Sequence, residues 1–185
     1  MNSFYTEEEL SEIGFKSFGT NVKISRKASI YGTSDISIGD NVRIDDFCIL
    51  SGKIEIGSHI HISAYCALYG AMGIKMEDYS GLSPRTTIFS AMDDFGGNYL
   101  IGPIHDVSKT NVTGGLVKIC KYVQIGAGSI IFPNIIIEEG VVVGTMSLVN
   151  KSLESWGIYV GIPCKKIKER SKKLLELEEK MKKEL

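Results

Sequence analysis

Large aliphatic residues recur at every sixth position along most of the chain. The first run is Ile38, Ile44, Leu50, Ile56, Ile62 and Leu68. After an extra dipeptide the register resumes at Met76, Leu82 and Ile88, and a second run holds Ile119, Ile125, Ile131, Ile137, Val143 and Val149. Neither an α-helix, with a period of about 3.6 residues, nor an alternating strand, with a period of about two, produces this spacing. A period of six indicates a solenoid of hexapeptide repeats.

Each hexapeptide is predicted to form a short parallel strand followed by a corner, which makes the fold class all-β. Successive coils stack about 4.8 Å apart, so the repeated aliphatic side chains form a continuous inner column. A second inward position lies four residues after each member of the first. It holds Val42, Cys48, Ile54, Ile60, Cys66, Met72, Ser80, Thr86, Val123, Ser129, Ile135, Val141 and Ser147.

The N-terminal segment carries the signals of a short helix. Thr6 followed by Glu9 matches a capping box, and Gly14 is a typical helix stop. We therefore expect a helix over residues 6–13, inside a lead-in that spans residues 1–20 and precedes a solenoid over 21–164.

The C-terminal segment, residues 165–185, is rich in helix-forming residues and is predicted to be a second helix. Its apolar side comprises Ile167, Leu174, Leu177, Met181 and Leu185. Two interpretations stay open, and they are compatible with each other. The helix packs on its own solenoid or on a neighbour, or Lys165, Lys166 and Lys168 supply positive potential near a phosphorylated ligand.

Composition places the chain among single-domain proteins with an adequate core. Its 185 residues are 43% hydrophobic, and the formal net charge of -1 argues against a nucleic-acid partner. We expect no secretory signal and no membrane span, because no apolar run approaches about 18 residues. The four cysteines lack the spacing of metal ligands, and Cys48 and Cys66 take inward positions. The sequence thus predicts a metal-free protein of a reducing compartment, the cytoplasm.

The repeat has one long interruption, over residues 93–116, which begins Asp93-Asp94-Phe95-Gly96-Gly97. An excursion of this length in a compact domain is usually functional or disordered. The motifs on either side of this loop distinguish the sequence from other hexapeptide repeats. They are GLSPRTTIFSAMDD from Gly81, Thr110-Asn111-Val112, IGAGS from Ile125, MSLVNKS from Met146 and WGIYVGIP from Trp156.

With these motifs the chain resembles hexapeptide-repeat sugar acyltransferases that use acyl-CoA. It is most similar to the branch that acylates the 4-amino group of nucleotide-linked 4-amino-4,6-dideoxyhexoses for surface polysaccharide synthesis. The resemblance implies a left-handed β-helix, acetyl-CoA or another short acyl-CoA as co-substrate, and a homotrimer with a shared cleft between neighbours. It also implies the residues that contact the coenzyme. They are Gly126, Ala127, Thr145 and Met146 beside the pantetheine, with Asn150, Lys151, Lys165 and Lys166 nearer the phosphates.

The residues at the start of the loop favour N-acylation over O-acylation. Family members that acylate a hydroxyl use a histidine base there, because a hydroxyl must lose its proton as it attacks. This chain has Asp93 and Asp94 instead. A neutral amine is already nucleophilic, and a carboxylate can orient it by accepting a hydrogen bond. We expect Asp94, ahead of Asp93, to bind the amine; the alternative is that both only cap a turn.

Ser83 is a third candidate, because it points outward just before the loop and is expected to bind the sugar or the thioester oxygen. Relatives often carry an acidic residue and a histidine where this chain has Cys120 and Tyr122, which leaves no second carboxylate or imidazole there. Cys120 as an acyl-accepting nucleophile has no adjacent base.

Three alternative functions remain open from the sequence. An O-acetyltransferase acting on a saccharide hydroxyl would use His105 as its base. A metalloenzyme of the carbonic anhydrase type would need His59, His61 and His105 to meet at one metal ion, and their spacing does not suit this. We expect His59 and His61 to be surface residues. A non-catalytic scaffold is disfavoured by the loop and the tail.

Overall fold

The computed structural model describes residues 3–183. The first helix, α1 (Glu7–Ile13), begins after Thr6 and ends at Gly14, as predicted. The Thr6 hydroxyl accepts a hydrogen bond from the Glu9 amide at 3.3 Å, and the Glu9 carboxylate accepts one from the Thr6 amide at 2.7 Å. The capping box therefore closes this helix end as the sequence indicates.

Short strands occupy most of the chain. The first ten are β1 (Ser17–Phe18), β2 (Lys23–Ile24), β3 (Ser29–Tyr31), β4 (Ile36–Ile38), β5 (Val42–Ile44), β6 (Ile49–Ile56), β7 (Ile60–Ile62), β8 (Ala67–Met76), β9 (Gly81–Leu82) and β10 (Thr87–Phe89). The next ten are β11 (Ala91–Asp93), β12 (Val112–Gly114), β13 (Val117–Ile119), β14 (Gln124–Ile125), β15 (Ile130–Ile131), β16 (Ile136–Ile137), β17 (Val142–Val143), β18 (Leu148–Val149), β19 (Gly157–Gly161) and β20 (Cys164–Glu169). One-turn 3-10 helices lie at Thr33–Asp35 and Val107–Lys109.

The strands build a parallel solenoid with three flat faces. One face follows β2, β5, β7, β9, β14, β17 and β19, and every neighbouring pair in that series is parallel. The other two faces share one sheet, because the long strands β6 and β8 continue around a corner. Each coil thus donates and accepts backbone hydrogen bonds with the coils on both sides.

The hexapeptide register correctly identifies the core. Every member of the first inward column from Ile38 to Val149 is buried. The second column is buried as well, with one exception: Met72 is 41% exposed. Residues 70–73 widen the corner, so that Ile54 pairs with Ile74 and the inward position passes to Ile74, which is 1% exposed. The prediction for Met72 is therefore wrong by two residues.

The loop at residues 93–116 is more ordered than its sequence suggests. Strands β11 and β12 pair antiparallel, with Asp93 opposite Val112, and form the base of a hairpin. The backbone amide of Asp94 extends this ladder by donating to the Asn111 carbonyl at 2.9 Å. The hairpin leaves the solenoid after Ser90 and returns at Gly115, whose amide donates to the Ser90 carbonyl at 2.9 Å.

The C-terminal helix begins later than predicted, and the boundary at Lys165 is wrong. Residues Cys164–Glu169 form strand β20, which pairs antiparallel with β19. Strand β19 ends the parallel face, and its outer backbone groups need partners. This pairing outweighs the helix propensity of the lysines. Helix α2 (Lys173–Lys183) follows, and the predicted apolar residue Leu185 lies outside the described residues.

Helix α2 packs against its own solenoid through a cluster of polar contacts. The Tyr122 hydroxyl donates to the Glu178 carboxylate, and Lys121 and Lys182 approach the same carboxylate at 3.6 and 2.9 Å. The Arg170 guanidinium donates to the carbonyls of Tyr122 and Gly140 at 2.6 and 3.0 Å. These contacts favour the interpretation in which the C-terminal helix packs on its own solenoid.

The buried cysteines provide a test of the core. Cys48 and Cys66 are both fully buried, and inward-facing thiols are shielded from reagents. We expect both to react slowly with a thiol reagent until the protein unfolds, and Cys66→Ala to lower the free energy of unfolding by about 1 kcal/mol through a small cavity. Stopped-flow labelling and urea unfolding measure the two effects. Rapid labelling of both thiols in the native protein contradicts the register.

A second test concerns the docking of α2. Hydrogen bonds from Tyr122 and Lys182 lower the pKa of Glu178 from 4.5 to about 2. Because the folded pKa is the lower one, this carboxylate stabilises docking above pH 4.5, and its contribution disappears as the pH falls towards 2. We expect the fluorescence of Trp156, whose ring lies 6.3 Å from that of Tyr122, to change over this pH range.

Glu178→Gln should remove that acid transition, because the amide does not titrate. Glu176→Gln, in the first turn of the same helix, serves as the matched control and should keep it. An unchanged transition in Glu178→Gln would show that another group detaches the helix.

Candidate functional site

Ser83 occupies a corner that the surrounding structure holds in place. Its amide donates to the Ile125 carbonyl at 2.9 Å. Its carbonyl accepts from the Thr86 hydroxyl at 2.9 Å and the Cys66 thiol at 3.2 Å. Its hydroxyl accepts from the Gln124 side-chain amide at 3.2 Å. The backbone of this residue is therefore fixed, and its half-buried hydroxyl has one defined neighbour.

Both loop carboxylates lie at the hairpin base and are half-buried. Asp94 accepts a hydrogen bond from the Gly96 amide at 2.8 Å through Oδ1, which is a local turn contact. Asp93 accepts a longer one, 3.3 Å, from the Gly102 amide, also through Oδ1. The turn-capping role is thus present in the structure. In each carboxylate the second oxygen has no hydrogen-bond partner within residues 3–183.

A cavity of about 400 Å³ lies under the loop. Its lining includes Asp93, Gly102, His105 and Thr110. His105 is exposed, and Asp93, at the hairpin base, lines the same cavity. The loop therefore brings a carboxylate and an imidazole to one small cavity whose lining is otherwise mainly apolar, while Asp94 lies outside the lining.

The four residues assigned to the pantetheine lie on one corner in consecutive coils. The Met146 amide donates to the Ala127 carbonyl at 2.8 Å, which joins the two coils. The amides of Ala127 and Thr145 donate to no group within residues 3–183 and are available to a ligand. A Cβ on Gly126 would lie 2.6 Å from the Thr145 nitrogen, so only glycine allows the coils to approach here. Met146 is 67% exposed and provides an apolar edge beside these amides.

The residues assigned to the phosphates lie further along the solenoid. Asn150 and Lys151 follow β18 and are exposed. Lys165 and Lys166 lie on β20, opposite Val160 and Tyr159. The structure thus presents these lysines from a strand, whereas the sequence predicted a helix.

Two of these lysines differ in how much of their charge is available. Lys166 forms an ion pair with Glu169 at 2.7 Å, and this hydrogen bond raises the lysine pKa. Lys165 has no carboxylate partner in the described part of the chain. The positive charge of Lys151 acts against the burial that raises the pKa of Cys164, the residue next to Lys165. Lys151 and Lys165 therefore contribute positive potential in the same region.

The three histidines, His59, His61 and His105, do not form one site. His59 stacks on Tyr79 at 4.6 Å, and His61 contacts Asp45 at 2.7 Å on a solenoid face. Both are exposed, as predicted. Among residues 3–183 no group of three His, Cys, Asp or Glu side chains is arranged to hold a metal ion.

The Cys120 thiol and the Tyr122 hydroxyl both have raised pKa values. Burial is the largest cause that raises the Cys120 pKa, to about 11, so its thiol stays protonated near neutral pH. Burial and the Glu178 contact raise the Tyr122 pKa to about 12. Tyr122 serves instead as the attachment point of α2.

Gln124 is a neighbour of Ser83 that the sequence reasoning missed. The two residues are 41 positions apart in the chain, yet β14 pairs with β9 so that Gln124 lies opposite Gly81. Continuing the hexapeptide register across the loop would have revealed this proximity, because removal of the loop makes the two hexapeptides neighbours in successive coils.

Known proteins resemble the chain over its whole length. No protein-family model matches it. The dTDP-4-amino-4,6-dideoxy-D-glucose acyltransferase of Escherichia coli is 47% identical over 179 residues, which cover 95% of this chain and 93% of that protein.

Solved structures agree with this. AntD, an N-acyltransferase from Bacillus cereus, is 58% identical in its complex with dTDP and 3-hydroxybutyryl-CoA, with a TM-score of 0.97 over 100% of this chain and 98% of that one. A serine-to-alanine variant of AntD in complex with dTDP-4-amino-4,6-dideoxyglucose and coenzyme A is 57% identical, with a TM-score of 0.98 over the full length of both chains. The acetyltransferase domain of PglB from Neisseria gonorrhoeae, 13% identical with a TM-score of 0.60 over 79% of this chain and 57% of that one, shares the fold.

An identity near 50% over nearly the full length, together with the parallel solenoid and its inserted hairpin, establishes the relationship. The chain belongs to the family of N-acyltransferases that use acyl-CoA to acylate nucleotide-linked 4-amino-4,6-dideoxy sugars, and its fold is the left-handed β-helix of that family.

Proposed function

We propose that this enzyme transfers an acetyl or related short acyl group from acyl-CoA to the 4-amino group of dTDP-4-amino-4,6-dideoxyglucose. The observation that carries the proposal is the pair of carboxylates at the base of the loop hairpin, on a fold whose relatives bind this sugar nucleotide and coenzyme A. The product would serve surface polysaccharide synthesis. Because both substrates are soluble metabolites of the cytoplasm, we place the reaction there.

The proposed mechanism needs orientation of the amine more than its deprotonation. Asp94 accepts a hydrogen bond from the neutral amine through its free carboxylate oxygen and directs the lone pair at the thioester carbon. The N–C bond forms, the carbonyl oxygen takes up negative charge, and the C–S bond then breaks. The leaving thiolate takes the surplus proton of the amine. Asp93 lines the adjoining cavity and contributes negative potential on the sugar side.

The proposed coenzyme site follows the corner between β14 and β18. The free amides of Ala127 and Thr145 donate to carbonyl groups of the pantetheine, and Met146 packs against its methylene carbons. Lys151 and Lys165, with Asn150, lie nearer the phosphates. The spacing of the two amides equals one coil of the solenoid, which suits an extended chain that runs along the stack.

The proposed assembly is a homotrimer with the active site in the cleft between neighbours. One solenoid face is mainly apolar on its outer side. It carries Ile49, Tyr69, Phe89, Ile130 and Leu148 from successive coils, with Ser51 and Thr87 among them, and the Tyr69 and Phe89 rings stack at 5.3 Å. The other two faces carry charged residues instead, among them Glu55, Lys75 and Lys118 on one, and Lys23, Arg43 and His61 on the other. A contiguous apolar face marks an interaction surface. A three-sided prism closes under threefold symmetry through one such face.

None of the helices in residues 3–183 is long and apolar enough to cross a bilayer.

Substitutions in the loop separate N-acylation from O-acylation. If Asp94 orients the amine, Asp94→Ala should keep the fold and the affinity for acyl-CoA. It should lower kcat/KM for the aminosugar about ten- to a hundred-fold, because one charged hydrogen bond is worth about 1.5–3 kcal/mol. Asp93→Ala is the neighbouring comparison and should cost less.

His105→Ala should change little, since the amine needs no imidazole base. The measurement is steady-state acyl transfer to the dTDP-linked aminosugar and to its 4-hydroxy counterpart. A nearly inactive His105→Ala with a nearly normal Asp94→Ala would overturn N-acylation and favour the hydroxyl-acylating enzyme.

The assembly is tested by light scattering. We expect three times the mass of the chain for the unsubstituted protein. Ile130→Glu, which places a charge on the apolar face, should lower that mass and reduce activity. Lys23→Glu on a polar face is the matched control and should remain trimeric. A monomeric unsubstituted protein under assay conditions excludes the shared cleft.

A further inference from the structure

Gln124, on the next coil, forms a hydrogen bond with the Ser83 hydroxyl, and the direction of this bond can be assigned. The Gln124 side-chain nitrogen lies 3.2 Å from Ser83 Oγ and 3.3 Å from the carbonyl oxygen of Ile125. A carbonyl oxygen only accepts, so the end of the Gln124 amide that faces Ile125 must be the nitrogen. Gln124 therefore donates to the serine, and the reverse arrangement is excluded.

Gly81 provides the space in which Gln124 lies. A Cβ built on Gly81 would come within 2.9 Å of Gln124 Oε1. The backbone of Gly81 lacks the positive φ that demands glycine. A Cβ at this position would therefore displace the Gln124 amide, whereas the backbone conformation itself suits other residues.

The donation from Gln124 determines where the serine proton points. A hydroxyl has one proton and two acceptor lone pairs. Gln124 occupies one lone pair, so the Ser83 proton points away from the Gln124 amide. The Ser83 backbone is already committed to Ile125, Thr86 and Cys66. The proton is therefore the group of Ser83 left to donate to a ligand.

We propose that Gln124 is a positioning residue that presents the Ser83 hydroxyl as a hydrogen-bond donor to the thioester carbonyl oxygen. This inference rests on the proposed function. As the amine attacks, the N–C bond forms and the electron pair of the carbonyl moves to oxygen, where the Ser83 proton stabilises it. The pair then returns, the C–S bond breaks, and the coenzyme thiolate takes the amine proton. Ser83 keeps its own proton throughout. A donor already aimed at the developing charge stabilises the transition state more than the ground state.

A double-mutant cycle tests this role. Ser83→Ala should lower kcat about a hundred-fold, the typical cost of one lost oxyanion donor. Gln124→Met keeps the length of the side chain without its amide and should lower kcat about ten-fold with little change in KM for acyl-CoA. In the Ser83→Ala background, Gln124→Met should cost nothing further, because its only catalytic partner is gone.

Two more variants distinguish positioning from packing. Gln124→Glu is isosteric but accepts a hydrogen bond, so it should draw the Ser83 proton inward and lower kcat more than Gln124→Met. This loss should ease as the pH falls and the carboxylate is protonated. Gly81→Ala should displace the Gln124 amide and reproduce the phenotype of Gln124→Met.

The outcomes are separable. Absence of acyl transfer by the unsubstituted enzyme overturns the proposed function and this inference together. An active enzyme in which the Gln124→Met and Ser83→Ala losses multiply overturns the inference alone, because Gln124 would then act through the fold. A Gln124→Glu variant with full activity also overturns it. The inference is supported if the Gln124→Met and Ser83→Ala losses do not multiply and Gln124→Glu is less active than Gln124→Met.

Discussion

The parallel hydrogen bonding between one coil and the next is the interaction on which the rest of the structure depends. The Ser63 amide donates to the Leu82 carbonyl, and the Ser83 amide donates to the Ile125 carbonyl, at 3.0 and 2.9 Å. The first pair lies 19 positions apart in the chain and the second 42. The ladder continues across the loop as if residues 93–116 were missing, so the hairpin can project without disturbing the coils that carry it.

This constraint explains why the fold is readable from the sequence and some of its details are not. Inward positions such as Ile44 and Leu68 are fully buried, and the large aliphatic residues of this column recur every six positions, so period six reveals them. Met72 was misassigned because a wider corner moves the register by two residues without any change in composition. The strand from Cys164 was also missed, because the open edge of β19 decides its structure and local propensity does not.

Some features of the candidate site could likewise be predicted from the sequence, and others could not. Ser83 and the corner at Ala127 and Thr145 follow from a resemblance in the motifs, and the structure places them on the coils. The contact between Ser83 and Gln124 joins residues that sequence windows never compare. The position of the lysines of β20 depends on a sheet edge, and the attachment of Tyr122 to Glu178 depends on how helix α2 packs against the solenoid.

The two halves of the proposed reaction are carried by parts of the molecule with different rigidity. The groups assigned to the thioester lie on corners that backbone hydrogen bonds hold on both sides, and Ser83 is fixed through its amide, carbonyl and hydroxyl. The carboxylates assigned to the amine lie on a two-stranded hairpin, where Asp94 is held by one turn contact. Acyl transfer requires a fixed electrophile, whereas the acceptor sugar can vary in shape. On the proposed assignment, the solenoid therefore holds the acyl-CoA, and the hairpin determines which amine can reach it.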